Sequence, residues 1–211
     1  MKLSIGALLA PLFDASEPRA LAEQARMFAN EGFRSLWSAQ AVGRGFMMTD
    51  PFIALTIAAT VAEKVEIGTA VLQVPLYQPI DLAHRVISLQ QVCGSRLLLG
   101  VGAGSTEKDF LAFDRDYNAR FTTFTQNMSI LRGALQSGRA DGIDLSPWPP
   151  VQGAPPLLLG SWGAGVARAA RGYDGWINSP ARVSTMLSSS CCRVRHPPAR
   201  CAHCCRSSPL N

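Results

Sequence analysis

The sequence predicts an α/β protein built from strand–helix repeats, and three observations predict it. Ile5, Leu36, Ile67 and Leu98 each lie inside a short apolar run and are spaced 31 residues apart. A helix-like segment follows each run. The fourth run holds Leu97-Leu98-Leu99, the continuous apolar pattern of a strand buried on both faces of a parallel sheet. Parallel neighbours need a crossover of about this length. A (β/α)₈ barrel of about 250 residues divides into units of roughly 31. The 211 residues of this chain therefore fit an incomplete (β/α)₈ TIM barrel with about six βα units.

The elements follow in order. Leu3–Ala10 is a strand that stops at Pro11. Ser16 caps a helix whose apolar stripe is Leu21, Ala25 and Phe28, and Gly32 ends it. Ser35–Ala39 is the second strand. Asp50-Pro51 reads as an N-cap followed by proline in the first turn, which opens a helix through about Glu63. Val65–Leu72 is the third strand. Asp81–Cys93 is a helix with Leu82, Val86, Leu89 and Cys93 on its buried face. Arg96–Val101 is the fourth strand. The register then breaks, which leaves room for an inserted segment and a helix around Thr125–Gln136. Leu157-Leu158-Leu159 and Gly175–Asn178 supply two more strands, with the Ala164–Gly172 helix between them.

Charge divides the chain near residue 181. All 15 acidic residues lie before that point, and the net charge of +5 comes from Arg182, Arg193, Arg195, Arg200 and Arg206. The neutral body gives no basis for a nucleic-acid or membrane partner. Residues 1–180 form the barrel domain. Residues 181–211 are a disordered Cys/Ser/Arg-rich tail whose composition resembles a GC-rich coding sequence read out of frame. A zinc reading would use Cys201-x-x-Cys204 with Cys191, Cys192, His196 or His203. The tail lacks a clean second ligand pair, and the adjacent Cys204 and Cys205 suit a tetrahedral site poorly, so no metal is expected. Lys2 before Leu3–Phe13 imitates a short leader, but Gly6, Pro11 and Asp14 interrupt it and it fits the repeat as a strand. The protein is expected to be soluble and cytoplasmic.

Two glycine clusters carry the chemistry. Gly100-Val-Gly102-Ala-Gly104-Ser105 follows a buried strand, but its spacing and position differ from a dinucleotide fingerprint. It reads as a strand end lying under a flat ligand, where side chains would obstruct close approach. Gly160-Ser161-Trp162-Gly163-Ala164-Gly165 joins a strand to the helix holding Arg168 and Arg171, and suits an anion such as phosphate. Trp37, Trp162 and Trp176 read mainly as packing residues. His84 reads as a surface residue, and no Ser-His-Asp set or paired carboxylates stand out.

These motifs, with "EGFRSLWSAQ", "DPFIALTIAATVAEKVEIGTAVLQVP", "QPIDLAHRVISLQQVCGSRLLLGVGAGS" and "PPLLLGSWGAGVARAARGYDGWI", resemble the luciferase-like flavin-dependent oxidoreductases from about Leu3 to Pro180. The resemblance implies a barrel that holds reduced FMN, or in some branches coenzyme F420, across its C-terminal mouth. By position, Thr69, Ala70 and Val71 end the third strand under the ring, with a cis Ala70–Val71 peptide. Gly102 and Gly104 end the fourth, Arg120 and Phe121 border the cofactor, and Gly160 and Ser161 hold its phosphate. The implied activity is oxygenation of a small organic substrate with reduced flavin and O₂, or hydride transfer with F420. The cofactor carries the hard chemistry, so a missing catalytic dyad is expected. Two departures stand out: Gln40-Ala41 replaces a Glu-His pair, and Gln90 replaces an Asp that would partner Arg96. The competing expectation is an inactive partial barrel that binds flavin weakly or not at all. Its open strand edges would favour pairing between chains.

Overall fold

The computed structural model describes residues 4–9, 20–46, 48–140, 142–145, 153–161, 165–178 and 194–195. The Ser16 cap, Trp162 and the tail cysteines lie outside these residues.

Six strand positions run parallel around a curled sheet that forms a half-barrel. β1 (Gly6–Leu8) is followed by α1 (Ala20–Asn30) and pairs with β2 (Ser35–Ser38). After α2 (Pro51–Val61) comes β3 (Glu66–Thr69), which pairs with β2. The third barrel strand is broken: β4 (Leu72–Gln73) continues it beyond the Ala70–Val71 peptide, which is cis as expected. Next come α3 (Pro79–Cys93) and β5 (Leu97–Gly102). The lower half of β5 pairs with β3 and its upper half with β4. The insertion holds α4 (Glu107–Ala112), α5 (Arg120–Ser137) and a hairpin of β6 (Arg139–Ala140) and β7 (Ile143–Asp144). β8 (Leu157–Gly160) pairs with β5, and after α6 (Gly165–Gly172) β9 (Gly175–Ile177) pairs with β8. Of segment 181–211 the structure describes Val194–Arg195, a two-residue β10 antiparallel to β9.

Local chemistry explains the element ends. At the end of α1, Gly32 N–H donates to Ala29 and Phe33 N–H to Phe28, while the Phe28 and Phe33 rings meet edge to face at 5.4 Å. This is the glycine stop read from the sequence, with its hydrophobic clasp. The Asp50 carboxylate accepts from the Phe52 and Ile53 N–H groups and starts α2 with Pro51 in the first turn. The helix stops at Val61, two residues earlier than the sequence predicted. α3 starts two residues earlier than predicted, capped by Gln78 with Pro79 in its first turn. Arg96, expected to lack a partner, donates to the carbonyls of Ala59, Ala62, Val65 and Cys93. Its guanidinium thereby satisfies the C-terminal carbonyls of α2, where a cation also suits the helix dipole.

Side chains alternate between two layers. Leu36, Ile67, Leu97, Leu99, Val101, Leu157 and Leu159 face the helices and join Leu82, Val86, Leu89, Cys93 and Leu131 in the main core. Cys93 is a buried packing residue whose thiol is pushed up by burial. Trp37, Leu98, Leu158 and Ile177 point inward and fill the barrel interior with Leu8, Ala70 and Val71. Trp37 is fully buried and donates to Ser35 Oγ at 2.9 Å. Its indole needs neighbours without side chains: a β-carbon on Gly68 would come within 2.7 Å of Trp37 Cε3, and one on Gly6 within 2.9 Å of Cδ1. Among the described residues no helix is long and apolar enough to cross a membrane.

Candidate active site

Parallel strands in an α/β barrel place functional groups at their C-terminal ends. Here those ends are Thr69–Val71, Gln73, Gly102 and Gly160-Ser161. The structure brings most of them together. The Thr69 hydroxyl donates to the Gly100 carbonyl at 2.7 Å, so this buried side chain binds the neighbouring strand rather than offering a free donor. Val71 lies between Gly102 and Gly160. A β-carbon on Gly102 would stand 2.9 Å from Val71 Cγ2, and one on Gly160 2.8 Å from Cγ1. The room left by these glycines is thus taken by the Val71 methyls, where the sequence suggested room for a ligand. Together Ala70, Val71, Gly102 and Gly160 close the barrel interior with an apolar floor.

Gly104 lies further along the rim. A β-carbon there would meet Gln73 Oε1 at 2.6 Å and Phe110 Cε2 at 2.7 Å. From Phe110 a chain of contacts runs outward. Its ring meets Tyr117 edge to face at 5.4 Å, and Tyr117 donates to the Ser105 carbonyl at 3.2 Å. The Arg120 guanidinium carbon stacks 3.9 Å from the Tyr117 centroid and 4.3 Å from that of the exposed Phe121. Arg120 Nη1 donates to the Tyr117 carbonyl, and its buried Nε has no partner among the described residues. Ser161, at the end of β8, also has a buried hydroxyl oxygen without a partner among the described residues. Its carbonyl accepts from Trp176 Nε1 at 2.6 Å, which ties the end of β8 to β9. Trp176 is packed against the core, and His84 is exposed, both as the sequence suggested.

One cluster escaped the sequence reading. Asp109 on α4 is fully buried. It accepts from Gln73 Nε2 at 2.6 Å, from Val42 N–H at 3.2 Å and from Arg44 Nε at 3.0 Å to each oxygen, and Arg44 Nη2 also donates to it. Burial pushes the Asp109 carboxyl up. The hydrogen bonds of Arg44 and Gln73, the Arg44 charge and the Val42 N–H outweigh that and hold it below the usual carboxylate range. Gln40 joins the cluster: its Oε1 accepts from Gln73 N–H at 2.9 Å, and its Nε2 donates to Tyr77 Oη at 3.0 Å. Burial, followed by the Asp50 charge, pushes the Tyr77 phenol up. The only sequence signal was Gly43 and Gly45 bracketing Arg44, since α4 is too short to show a period. Among the described residues no group of three His, Cys, Asp or Glu side chains could hold a metal ion.

A parallel half-barrel with its polar groups gathered at the strand C-termini defines a barrel of the enzyme-forming type. Its sequence matches the luciferase-like monooxygenase family over residues 6–186, and the chain belongs to that family. It is 31% identical over 121 residues to 4-hydroxyprotoasukamycin monooxygenase of Streptomyces nodosus subsp. asukaensis, covering 54% of this chain and 33% of that protein. It is 29% identical over 144 residues to an uncharacterized protein of Mycobacterium bovis, covering 64% of this chain and 51% of the relative. Thus the chain spans between a third and about half the length of these relatives.

Solved structures share the fold. The oxygenating constituent of 3,6-diketocamphane monooxygenase from Pseudomonas putida, in complex with FMN, superposes with a TM-score of 0.63 at 15% identity, covering 77% of this chain and 52% of that one. The coenzyme F420-dependent tetrahydromethanopterin reductase of Methanopyrus kandleri does so with a TM-score of 0.63 at 16% identity, covering 84% and 56%.

Proposed function

We propose that this chain is the cofactor-holding part of a flavin-dependent oxidoreductase, a monooxygenase acting on a small organic substrate with reduced FMN and O₂, with F420 as the alternative cofactor. The observation that carries the reading is that, among the described residues, the buried polar atoms without a partner include three on the rim of a family barrel: the donors Ser161 Oγ and Arg120 Nε, and the acceptor Gln73 Oε1. Buried polar atoms without partners are rare in folded proteins and invite a ligand. Their donor chemistry suits a phosphate and a ring carbonyl, so these residues fit a flavin.

In this reading Gly160 and Ser161 hold the phosphate. Arg120, stacked on Tyr117 and Phe121, supplies a fixed cation beside it. Ala70 and Val71 form the floor under the ring, and the packed interior of Trp37, Leu98, Leu158 and Ile177 keeps water from entering below. Thr69 shapes that floor through its bond to Gly100. When bound, the reduced cofactor supplies the electrons for O₂ activation, or a hydride in the F420 case. The protein positions it and keeps the site dry. β1 pairs on one side alone among the described residues, an edge that suits association between two chains.

Titrating the chain with FMN, riboflavin and F420 tests the reading. Saturable FMN binding is expected, with riboflavin weaker and the difference narrowed by Ser161→Ala. No saturable binding of any of the three would overturn it.

A further inference from the structure

One buried carboxamide at the strand ends has its nitrogen satisfied and its oxygen left over. Gln73 closes β4, is 3% exposed and lies opposite Gly102 in the register with β5. Its Nε2 donates to Asp109 Oδ2 at 2.6 Å and reaches the Gln40 carbonyl at 3.5 Å. Asp109 is fully buried and held in its charged form, so it accepts and does not donate. It therefore captures the nitrogen end of the amide and turns the oxygen end away from itself. Among the described residues nothing donates to that Oε1. Gln40, the neighbouring amide, is already committed: its Nε2 donates to Tyr77 Oη and its Oε1 accepts from Gln73 N–H.

The surroundings narrow the missing donor. A β-carbon on Gly104 would stand 2.6 Å from Gln73 Oε1 and 2.7 Å from Phe110 Cε2, so bare backbone and an aromatic edge flank the oxygen. Gly104 has a φ of +86°, a backbone shape that side chains rarely adopt, which keeps a side chain off this spot. A water would need two to four polar partners, and an aromatic edge supplies none. The complement of an acceptor between glycine and an aromatic ring is a flat heterocycle with an N–H on its edge.

We propose that Gln73 Oε1 accepts the imide N–H, at N3, of the cofactor ring, and that Asp109 is the positioning residue that keeps the oxygen presented. The proposal rests on the flavin reading and deepens it by naming the side chain that reads the ring. The imide N–H is the ring donor that FMN and F420 share in both oxidation states. The N–H at position 5 exists only in the reduced flavin.

The test uses the ¹⁵N-labelled full chain with FMN and N3-methyl-FMN, which differ in that donor. FMN is expected to bind at least about tenfold tighter, the worth of one good hydrogen bond. It should also shift the Gln73 side-chain amide resonance, which the methylated ligand moves far less. Gln73→Ala removes the acceptor and makes room for the methyl group, so the two affinities should converge. Asp109→Asn frees the carboxamide to turn and should shrink the ratio, whereas a purely structural loss would weaken both ligands alike. If a variant does not fold, the ratio and the Gln73 shift in the unaltered chain decide. Equal affinities there, a still Gln73 resonance, or a ratio that Gln73→Ala leaves intact would overturn the assignment while the flavin reading stands. A Gln73→Ala effect confined to reduced FMN would overturn it too, since it puts the oxygen against the position-5 N–H. Binding of neither ligand would overturn both.

Discussion

The methyl groups of Val71 occupy the place where a β-carbon on Gly160 would stand, 2.8 Å from Cγ1 and 3.3 Å from Cγ2. Two strands that flank β5 thus divide one small volume between a branched side chain and none. Gly160→Ala should destabilise the fold by about 1–3 kcal/mol through overpacking. Val71→Ala in the same chain should recover most of that loss, because the two sites share the space. Urea denaturation of both singles and the double gives the coupling, and additive effects would refute the shared volume.

Trp37 is the largest side chain of the barrel interior and makes its one hydrogen bond to Ser35. Trp37→Ala should cost about 3–5 kcal/mol by opening a cavity that Gly6 and Gly68 cannot fill. Trp37→Phe should cost less, since it keeps most of the volume and loses the indole donor. Melting temperatures of the two variants check the order.

Asp109 sets an acid limit on stability. Its carboxyl is held below the usual range in the folded chain, so the unfolded chain takes up the proton first as pH falls. The stabilisation is therefore fully present above the unfolded value, near about 3.9, and is lost as pH drops through the lower folded value. At neutral pH Asp109→Asn should be less stable by about 1–3 kcal/mol, the worth of hydrogen bonds to a charged group. That gap should narrow as the pH falls below the unfolded value and through the lower folded one. A gap that stays constant in acid melting curves would contradict this account.

Arg96 satisfies four carbonyls at the junction of α2, the end of α3 and the start of the third strand. Arg96→Met keeps the stem and removes the donors. Amide exchange in Ala59–Glu66 should then accelerate at least about tenfold, since orphaned carbonyls cost about 1–3 kcal/mol. Unchanged exchange there would mean that water replaces the guanidinium without loss.

Much of the frame was legible because local chemistry and long-range packing agree. The repeat of Ile5, Leu36, Ile67 and Leu98 placed four strands, and Asp50-Pro51 and Gly32 marked helix ends that the structure keeps. The break in the third strand was legible only through family resemblance, since nothing in Thr69-Ala70-Val71-Leu72 interrupts a strand pattern. The glycines were legible as places needing room, but a sequence does not say what fills the room. Gly102 and Gly160 face Val71, and Gly68 faces Trp37. The Arg44–Asp109 pair stayed hidden because its members are 65 residues apart and neither lies on a periodic face.

The indole of Trp37, sealed inside the barrel beneath the mouth, also gives the chain an internal optical probe. An indole shielded from water emits at shorter wavelength than an exposed one, and oxidised flavin absorbs in that same near-ultraviolet region. Arrival of the coloured cofactor above the Val71 floor would therefore drain the blue edge of the protein's own fluorescence by energy transfer. Loss of the interior packing would instead shift that emission to the red, so a single spectrum separates occupancy of the mouth from collapse of the barrel below it.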